Sequence, residues 1–364
     1  MAPGQPDNSR VTAMVAGTGS ALPPDAVTNL DLYEIPELRE AFDTDEVRAS
    51  LGDASQETMT DAEVFDAWAK QVTGIAARRR QDPSGDGTTE SMAAAAGRAA
   101  LDDAGMGPAD LDMLLVATLT SAEEVPNAAC TVAEKMGVPE LGGYAFNAAC
   151  AGFVYGMATG WSAIVSGMAR NVLVVSSDSL TRFVDYADPR TAVLFGDGAG
   201  AALLTRSEVT RGETVLGVLG PPSLAASYQR EPLQMDGLGW LEIGTKPLLH
   251  MKGGARILRR AVTGMHAQAE EALQSAGLDW RDVQVVIPHQ ANLRITKGIE
   301  KMLRGKGPKV IHNIRDLGNM SGATVAIALD QWKRGMHGPR PEPATVVLTA
   351  IGGGYTSAAM VLRV

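Results

Sequence analysis

Cysteine is almost absent: Cys130 and Cys150 are the only two in 364 residues. Two thiols cannot build a disulfide framework, so a reducing, cytoplasmic setting is the expectation. Aromatic residues supply only 5% of the chain, whereas there are 40 glycines. Together with abundant alanine, that suits close helix–sheet packing more than a β-sandwich. Positive charge is in deficit, with 32 Lys and Arg against 42 Asp and Glu and a net charge of −10, which argues against a nucleic-acid partner. The five histidines (His250, His266, His289, His312 and His337) show no metal-ligand spacing, so no metal site is expected. The first ten residues are polar and contain no apolar run of the kind a signal peptide needs.

Charge is missing altogether from residues 141–169, a stretch long enough to cross a bilayer. Seven glycines or asparagines interrupt it (Gly142, Gly143, Asn147, Gly152, Gly156, Gly160 and Gly167), and it is not rich in leucine. A buried strand followed by a buried helix is the better reading, and no membrane span is expected.

What is present is a regular alternation of strand and helix patterns. Strands are predicted at 11–17, 113–119, 143–147, 171–176 and 200–205, with helices at 90–103, 128–136 and 152–166 between them. The order then repeats: strands at 214–219, 283–287, 310–312, 345–351 and 357–364, and helices at 255–276, 292–304 and 323–334. The fold class is α/β, in mixed layers. The repeat divides the chain into halves at 1–205 and 206–364. The acidic, polar segment 27–80, with Pro36, Gly52 and Gly74 as breaks, reads as a helical insertion. Residues 219–240, rich in Gly, Pro and Ser, read as a loop. The halves also echo each other, because Asn147-Ala148-Ala149-Cys150-Ala151-Gly152 leads into a helix just as Asn319-Met320-Ser321-Gly322-Ala323 does.

Chemistry concentrates at the ends of strands. Cys150 joins an apolar strand to an apolar helix, where unpaired N–H groups and the helix dipole favour a thiolate. The competing reading is a small buried hydrophobe, and this is the one assigned to Cys130 inside its apolar pattern. His289 follows Val285-Val286-Ile287-Pro288 at a strand end, where α/β proteins place their sites, though a lone histidine is more often a satisfied surface or core residue. Asn319 taken alone reads first as a turn or cap residue. Gly352-Gly353-Gly354 follows another strand and allows the backbone to approach a ligand with its N–H groups. Gly17-Thr18-Gly19-Ser20-Ala21-Leu22 lacks the third glycine of a dinucleotide fingerprint. Arg294, Lys297, Lys301 and Arg304 recur at spacings of three and four and form a basic stripe, to which Arg256, Arg259 and Arg260 add charge. In an acidic chain such a stripe suggests an acidic partner, and reads equally as a solvated face.

Asn147–Phe153, Phe195-Gly196-Asp197-Gly198-Ala199-Gly200, Pro288-His289-Gln290-Ala291-Asn292-Leu293-Arg294-Ile295, Gly318-Asn319-Met320-Ser321 and Gly352-Gly353-Gly354 together resemble the signature blocks of the β-ketoacyl-acyl-carrier-protein synthase III family. The resemblance implies the thiolase-like fold, a five-layer αβαβα sandwich of two repeated βαβαβαββ halves, in a homodimer. It implies a decarboxylative Claisen condensation of an acyl-coenzyme A primer with a malonyl-acyl carrier protein, with no cofactor besides these thioesters, in fatty acid or polyketide biosynthesis. Cys150 would carry the acyl group, and His289 and Asn319 would stabilise the enolate. The N–H groups of Cys150 and Gly353 would form an oxyanion hole. Trp68, Val125, Arg182, Gly352 and Gly354 would contact substrate, with Trp68 stacking on adenine and Val125 reaching across the dimer. Arg294, Arg259, Lys297 and Lys301 would dock the carrier protein. Val72 replaces an arginine frequent in the family, and Val125 a phenylalanine. The alternative activity on the same fold is an acyltransferase that passes the acyl group to an alcohol or amine without condensation.

Overall fold

In the computed structural model, residues 10–51, 58–82, 88–210, 212–229, 233–235, 247–251 and 254–364 are described. The first half runs β1 (Arg10–Ala21), α1 (Thr89–Ala104), β2 (Met113–Ala117), α2 (Ala128–Lys135), β3 (Gly143–Phe146), α3 (Gly152–Val165), β4 (Asn171–Ser179) and β5 (Asp197–Val209). The second half runs β6 (Gly217–Val218), β7 (Ser223–Gln229), α4 (Gly254–Ser275), β8 (Val285–Pro288), α5 (Leu293–Met302), β9 (Lys309–Val310), α6 (Ala323–Lys333), β10 (Thr345–Ile351) and β11 (Gly354–Arg363).

Each half builds one sheet, in the order β1–β5–β4–β2–β3 and in the order β6–β11–β10–β8–β9. These two orders correspond strand for strand. In both, the last two strands of the half form the antiparallel centre, and two strands lie parallel beside it, β2 and β3 in the first half and β8 and β9 in the second. Helices α1 and α2 cover the outside of the first sheet, and α4 and α5 the outside of the second. Helices α3 and α6 lie between the sheets. This is the five-layer αβαβα sandwich expected from the sequence.

The glycines that argued against a membrane span let α3 lie close to the first sheet. Gly152, Gly156 and Gly160 are spaced by four and so share one face. A β-carbon at Gly156 would fall 2.7 Å from Val174 Cγ1, one at Gly160 3.0 Å from Leu204 Cδ1, and one at Gly152 2.9 Å from Ala117 Cβ. Among the described residues no helix is long and apolar enough to cross a membrane.

Three readings are corrected. Residues 219–240 are not simply a loop: β7 pairs antiparallel with β11, and Leu233–Met235 pairs with Leu249–Met251. Ladder hydrogen bonds to an existing sheet edge override weak intrinsic strand preference there. Residues 230–232 and 236–240, Trp240 included, lie outside the described residues, as does Gly52. The strand expected at 214–219 shrinks to Gly217–Val218. Cys130 is exposed, because the buried face of α2 is Ala128, Ala129, Val132 and Ala133.

The insertion forms helices Asn29–Tyr33, Pro36–Ala41, Thr44–Leu51 and Asp61–Thr73, closed by short strands Ala26–Thr28 and Ala77–Arg79. Pro36 occupies a first helical turn, where its missing N–H costs nothing, and so starts a helix as well as separating two. Arg78 ties the insertion to the body. Its buried guanidinium donates to the Val27 and Val193 carbonyls and to Asn29 Oδ1.

Candidate active site

The two helices between the sheets start from matching loops. Asn147 Oδ1 accepts the Ala149 N–H at 2.9 Å, and Asn319 Oδ1 accepts the Ser321 N–H at 2.9 Å. Ala149 and Ser321 take left-handed φ values of 48° and 52°, the only positive ones among the described non-glycine residues. Backbone in this region is strained for residues with a β-carbon, and such strain clusters at functional sites. In the first loop the next residue is Cys150; in the second it is Gly322. A β-carbon at Gly322 would sit 2.6 Å from Ser176 Oγ and 3.2 Å from the Phe153 nitrogen, so the second loop is wedged between β4 and the start of α3.

Cys150 lies in the single turn Ala149–Ala151 that leads into α3. The glycine run after β10 presses against it: a β-carbon at Gly352 would come within 2.6 Å of the Cys150 nitrogen. The Thr356 hydroxyl donates to the Ala148 carbonyl at 2.7 Å and locks the two loops together. Burial pushes the thiol up to about 12, and the charge of Asp178 adds to this, while Ser321 and the residue's own N–H pull downward. The resting side chain is therefore a thiol. Burial thus opposes the thiolate that the helix terminus favours.

Asp178, near the end of β4, is fully buried, and its carboxyl is raised to about 6, chiefly by burial. Its Oδ1 accepts from the Leu119 N–H and from the Thr118 and Thr120 hydroxyls. The Ser321 hydroxyl is buried beside both the Asp178 carboxyl and the Cys150 thiol, yet completes a well-formed hydrogen bond with neither.

His289 follows β8 and is 1% exposed. Its backbone N–H donates to the Thr349 carbonyl, and the ring Nδ1 lies 2.7 Å from Thr324 Oγ1 on α6. Burial pushes its pKa down to about 3, so the imidazole is neutral at any ordinary pH. Asn319 is held by backbone bonds to Leu194 and Gly196, and its Oδ1 is occupied by Ser321. The amide Nδ2 is thereby left as its donor.

Cys150, His289 and Asn319 line one cavity of about 430 Å³, with Trp68, Val72, Arg190, Arg294, Gly352 and Gly353 also in its wall. A second cavity of about 480 Å³ also reaches Cys150, lined by Leu119, Asn147, Leu180, Tyr228, Leu249 and Gly354 among others. The thiol therefore stands between two compartments.

Other expected residues are placed less centrally. Trp68 packs on Phe42 and Phe65 of the insertion, with centroids 5.1 and 5.7 Å away. Arg182, in the turn Leu180–Phe183, is not in the lining of either cavity, and its charge acts on Asp197; Arg190 lines the first cavity instead. Val125 is 89% exposed. Arg259, Lys297 and Lys301 are exposed. Arg294 is exposed too, but its guanidinium donates to the Gln71 carbonyl, and Asn292 donates to the Val72 carbonyl. Both side chains thus hold the helix that carries Trp68. Sequence reasoning missed Asp178, Thr324 and Arg190; the one available signal was an acidic residue ending a long uncharged apolar strand.

Known proteins bear on this geometry. Residues 144–219 match the family model of 3-Oxoacyl-[acyl-carrier-protein (ACP)] synthase III, and residues 273–364 match its C-terminal model. The chain is 34% identical over 359 residues to the β-ketoacyl-acyl-carrier-protein synthase III of Caldanaerobacter subterraneus subsp. tengcongensis, covering 97% of this chain and 98% of that one. It is 39% identical over 300 residues to the protein of that name from Roseobacter denitrificans, covering 82% and 90%. Among solved structures, the 3-oxoacyl-acyl-carrier-protein synthase III of Aquifex aeolicus VF5 superimposes with a TM-score of 0.79 at 33% identity, covering 97% and 100%. The priming β-ketosynthase of the R1128 polyketide pathway does so with a TM-score of 0.80 at 31% identity, covering 100% and 99%.

Proposed function

Since the chain belongs to the 3-oxoacyl-ACP synthase III family, we propose that it condenses an acyl primer, delivered as a coenzyme A thioester, with a malonyl-acyl carrier protein. The observation that carries this reading is that Cys150, His289 and Asn319, from three distant parts of the chain, line one cavity. The Cys150 sulfur attacks the primer thioester as its thiol proton is lost, the Cys150 and Gly353 N–H groups receive the oxyanion, and the carbon–sulfur bond to coenzyme A breaks, so that coenzyme A leaves as the free thiol with that proton. The acyl chain lies in the second cavity, and the malonyl thioester then enters the first. Decarboxylation builds negative charge on the malonyl thioester oxygen. His289 and Asn319 meet it as donors already in place, in a site largely closed to water. The enolate carbon attacks the acyl-cysteine, and the thiolate leaves.

Support for the finer assignments comes from placement. Trp68 and Arg190 line the first cavity, where the adenine and phosphates of coenzyme A would pass. The exposed Arg294, Arg259, Lys297 and Lys301 face an acidic carrier protein. A homodimer formed along the edge strand β3 would bring Val125 to the partner's acyl cavity. The reaction calls for no cofactor beyond its thioester substrates, in the cytoplasm.

Incubation with an acyl thioester should add the acyl mass to the wild type and to Cys130→Ala, but not to Cys150→Ala. With malonyl-carrier added, wild type should release carbon dioxide and form a β-ketoacyl thioester. His289→Ala and Asn319→Ala should each lose ~10²-fold or more in that step. Acylation of Cys150 without carbon dioxide release, with transfer to an alcohol or amine, would establish the acyltransferase instead.

A further inference from the structure

Whether His289 can serve as a donor depends on which ring nitrogen carries its single proton, and that is decided by what Nδ1 meets. Thr324 Oγ1 has one proton and two acceptors within reach: His289 Nδ1 at 2.7 Å and the Ser321 carbonyl at 2.9 Å. If the hydroxyl turned to Ser321, Nδ1 would have to donate, and Nε2 would present a lone pair to the cavity. If the hydroxyl turns to Nδ1, the proton sits on Nε2.

Three observations decide between these. A separation of 2.7 Å is short for an N–H donor to oxygen, whose usual distance is about 2.9–3.0 Å; one of 2.9 Å is long for a hydroxyl donating to oxygen, usually about 2.7–2.8 Å. The Ser321 carbonyl already accepts the Thr324 N–H at 3.3 Å, so it is not left unpaired. The Gln290 N–H donates to Thr324 Oγ1 at 3.3 Å, so one of the two lone pairs is already taken and an Nδ1–H donor would need the other.

We infer that Thr324 is a positioning residue: its hydroxyl donates to His289 Nδ1 and fixes the tautomer that presents Nε2–H to the cavity. The inference rests on the proposed decarboxylative reaction and deepens it. Both donors are then set from the loop before α6 and from that helix's first turn. The Ser321 N–H occupies Asn319 Oδ1 and exposes Nδ2, and three residues later the Thr324 hydroxyl occupies His289 Nδ1 and exposes Nε2. Thr324 is itself fully buried, so water does not compete for the bond.

The test uses the full-length protein with labelled histidine. Carbon and nitrogen shifts, with His289 assigned by substitution, report which nitrogen is protonated. Wild type should show the Nε2–H form at neutral pH. Thr324→Val, which keeps the shape and removes the hydroxyl, should mix or invert the tautomers. It should slow carbon dioxide release from malonyl-carrier by ~10²-fold, as the loss of an aligned oxyanion donor does, with a much smaller effect on acylation of Cys150. Thr324→Ser should restore both tautomer and rate. An Nδ1–H form in wild type would overturn the inference. So would Thr324→Val with an unchanged tautomer and a wild-type rate. If Thr324→Val does not fold, the wild-type tautomer and the Thr324→Ser rate still decide. If wild-type protein acylates Cys150 yet releases no carbon dioxide, the proposed reaction fails, while the tautomer measurement still judges Thr324.

Discussion

Asp178 is the residue whose removal says most about the site. Its carboxyl titrates near 6 instead of 3.8 because it is fully buried. A raised carboxyl favours folding when protonated. Its contribution is complete below about pH 4 and is lost as pH climbs through about 6. Asp178→Asn is isosteric, and its Oδ1 can take the same bonds from Leu119, Thr118 and Thr120. The variant should therefore gain stability relative to wild type between pH 4 and 8, by at most about 3 kcal/mol, measured as the difference in melting temperature at the two pH values. It should also speed alkylation of Cys150 by iodoacetamide several-fold at pH 8, because the charge that raises the thiol is gone; an unchanged rate would mean that burial alone sets it. Cys150, His289 and Asn319 were legible in the sequence because each sits in a recognisable strand-end or helix-start motif. Asp178, Ser321 and Thr324 were not. A serine or threonine in an apolar run says nothing until folding sets it against a partner from another strand.

At the scale of elements, caps made the boundaries readable. Helix α1 begins after Thr88, whose hydroxyl accepts the Ser91 N–H, and ends at Gly105 with φ 66°. Its observed span differs by one residue at each end from the span expected. Strand β7 was missed because Ser223–Gln229 lacks β-branched residues, and its register comes from β11. The glycine face of α3 is equally a matter of neighbours. In isolation Gly156 weakens a helix, but here it admits Val174 and Phe146. Gly156→Val should cost about 1–3 kcal/mol through overpacking, seen as a lower denaturation midpoint, and should slow acylation of Cys150 by tilting the start of α3. A variant as stable and as active as wild type would show that the helix has slack. The insertion earns its place at this scale too. Phe42 buttresses Trp68, which no residue of the repeated halves does in the described ring contacts.

At the scale of the molecule, the repeat was legible as alternation, but the match of the two sheet orders was not, since strand order is a property of the folded chain. The proposed dimer is also argued at this scale. Strand β3 is a sheet edge with Tyr144 exposed, and Val125 and Tyr228 are each 89% exposed; the proposed dimer would cover the β3 edge. If Val125 of a partner subunit closes the acyl cavity in the proposed dimer, hexanoyl thioesters should acylate Cys150 in preference to acetyl, each buried methylene gaining roughly 0.8 kcal/mol. Val125→Phe should reverse the preference in a competition between the two; acetyl preferred by both proteins would exclude Val125 as the limit of the pocket. The placement of α3 has a further consequence, for biosynthesis on the ribosome. Its second face is covered by α6 and the second sheet, whose last strand emerges about two hundred residues later. At about 5–20 residues per second, a charge-free helix waits on the order of 10–40 s for its other half. Through that interval the nascent chain carries the most apolar part of the protein with one side bare, and it is then that the growing polypeptide most needs a chaperone.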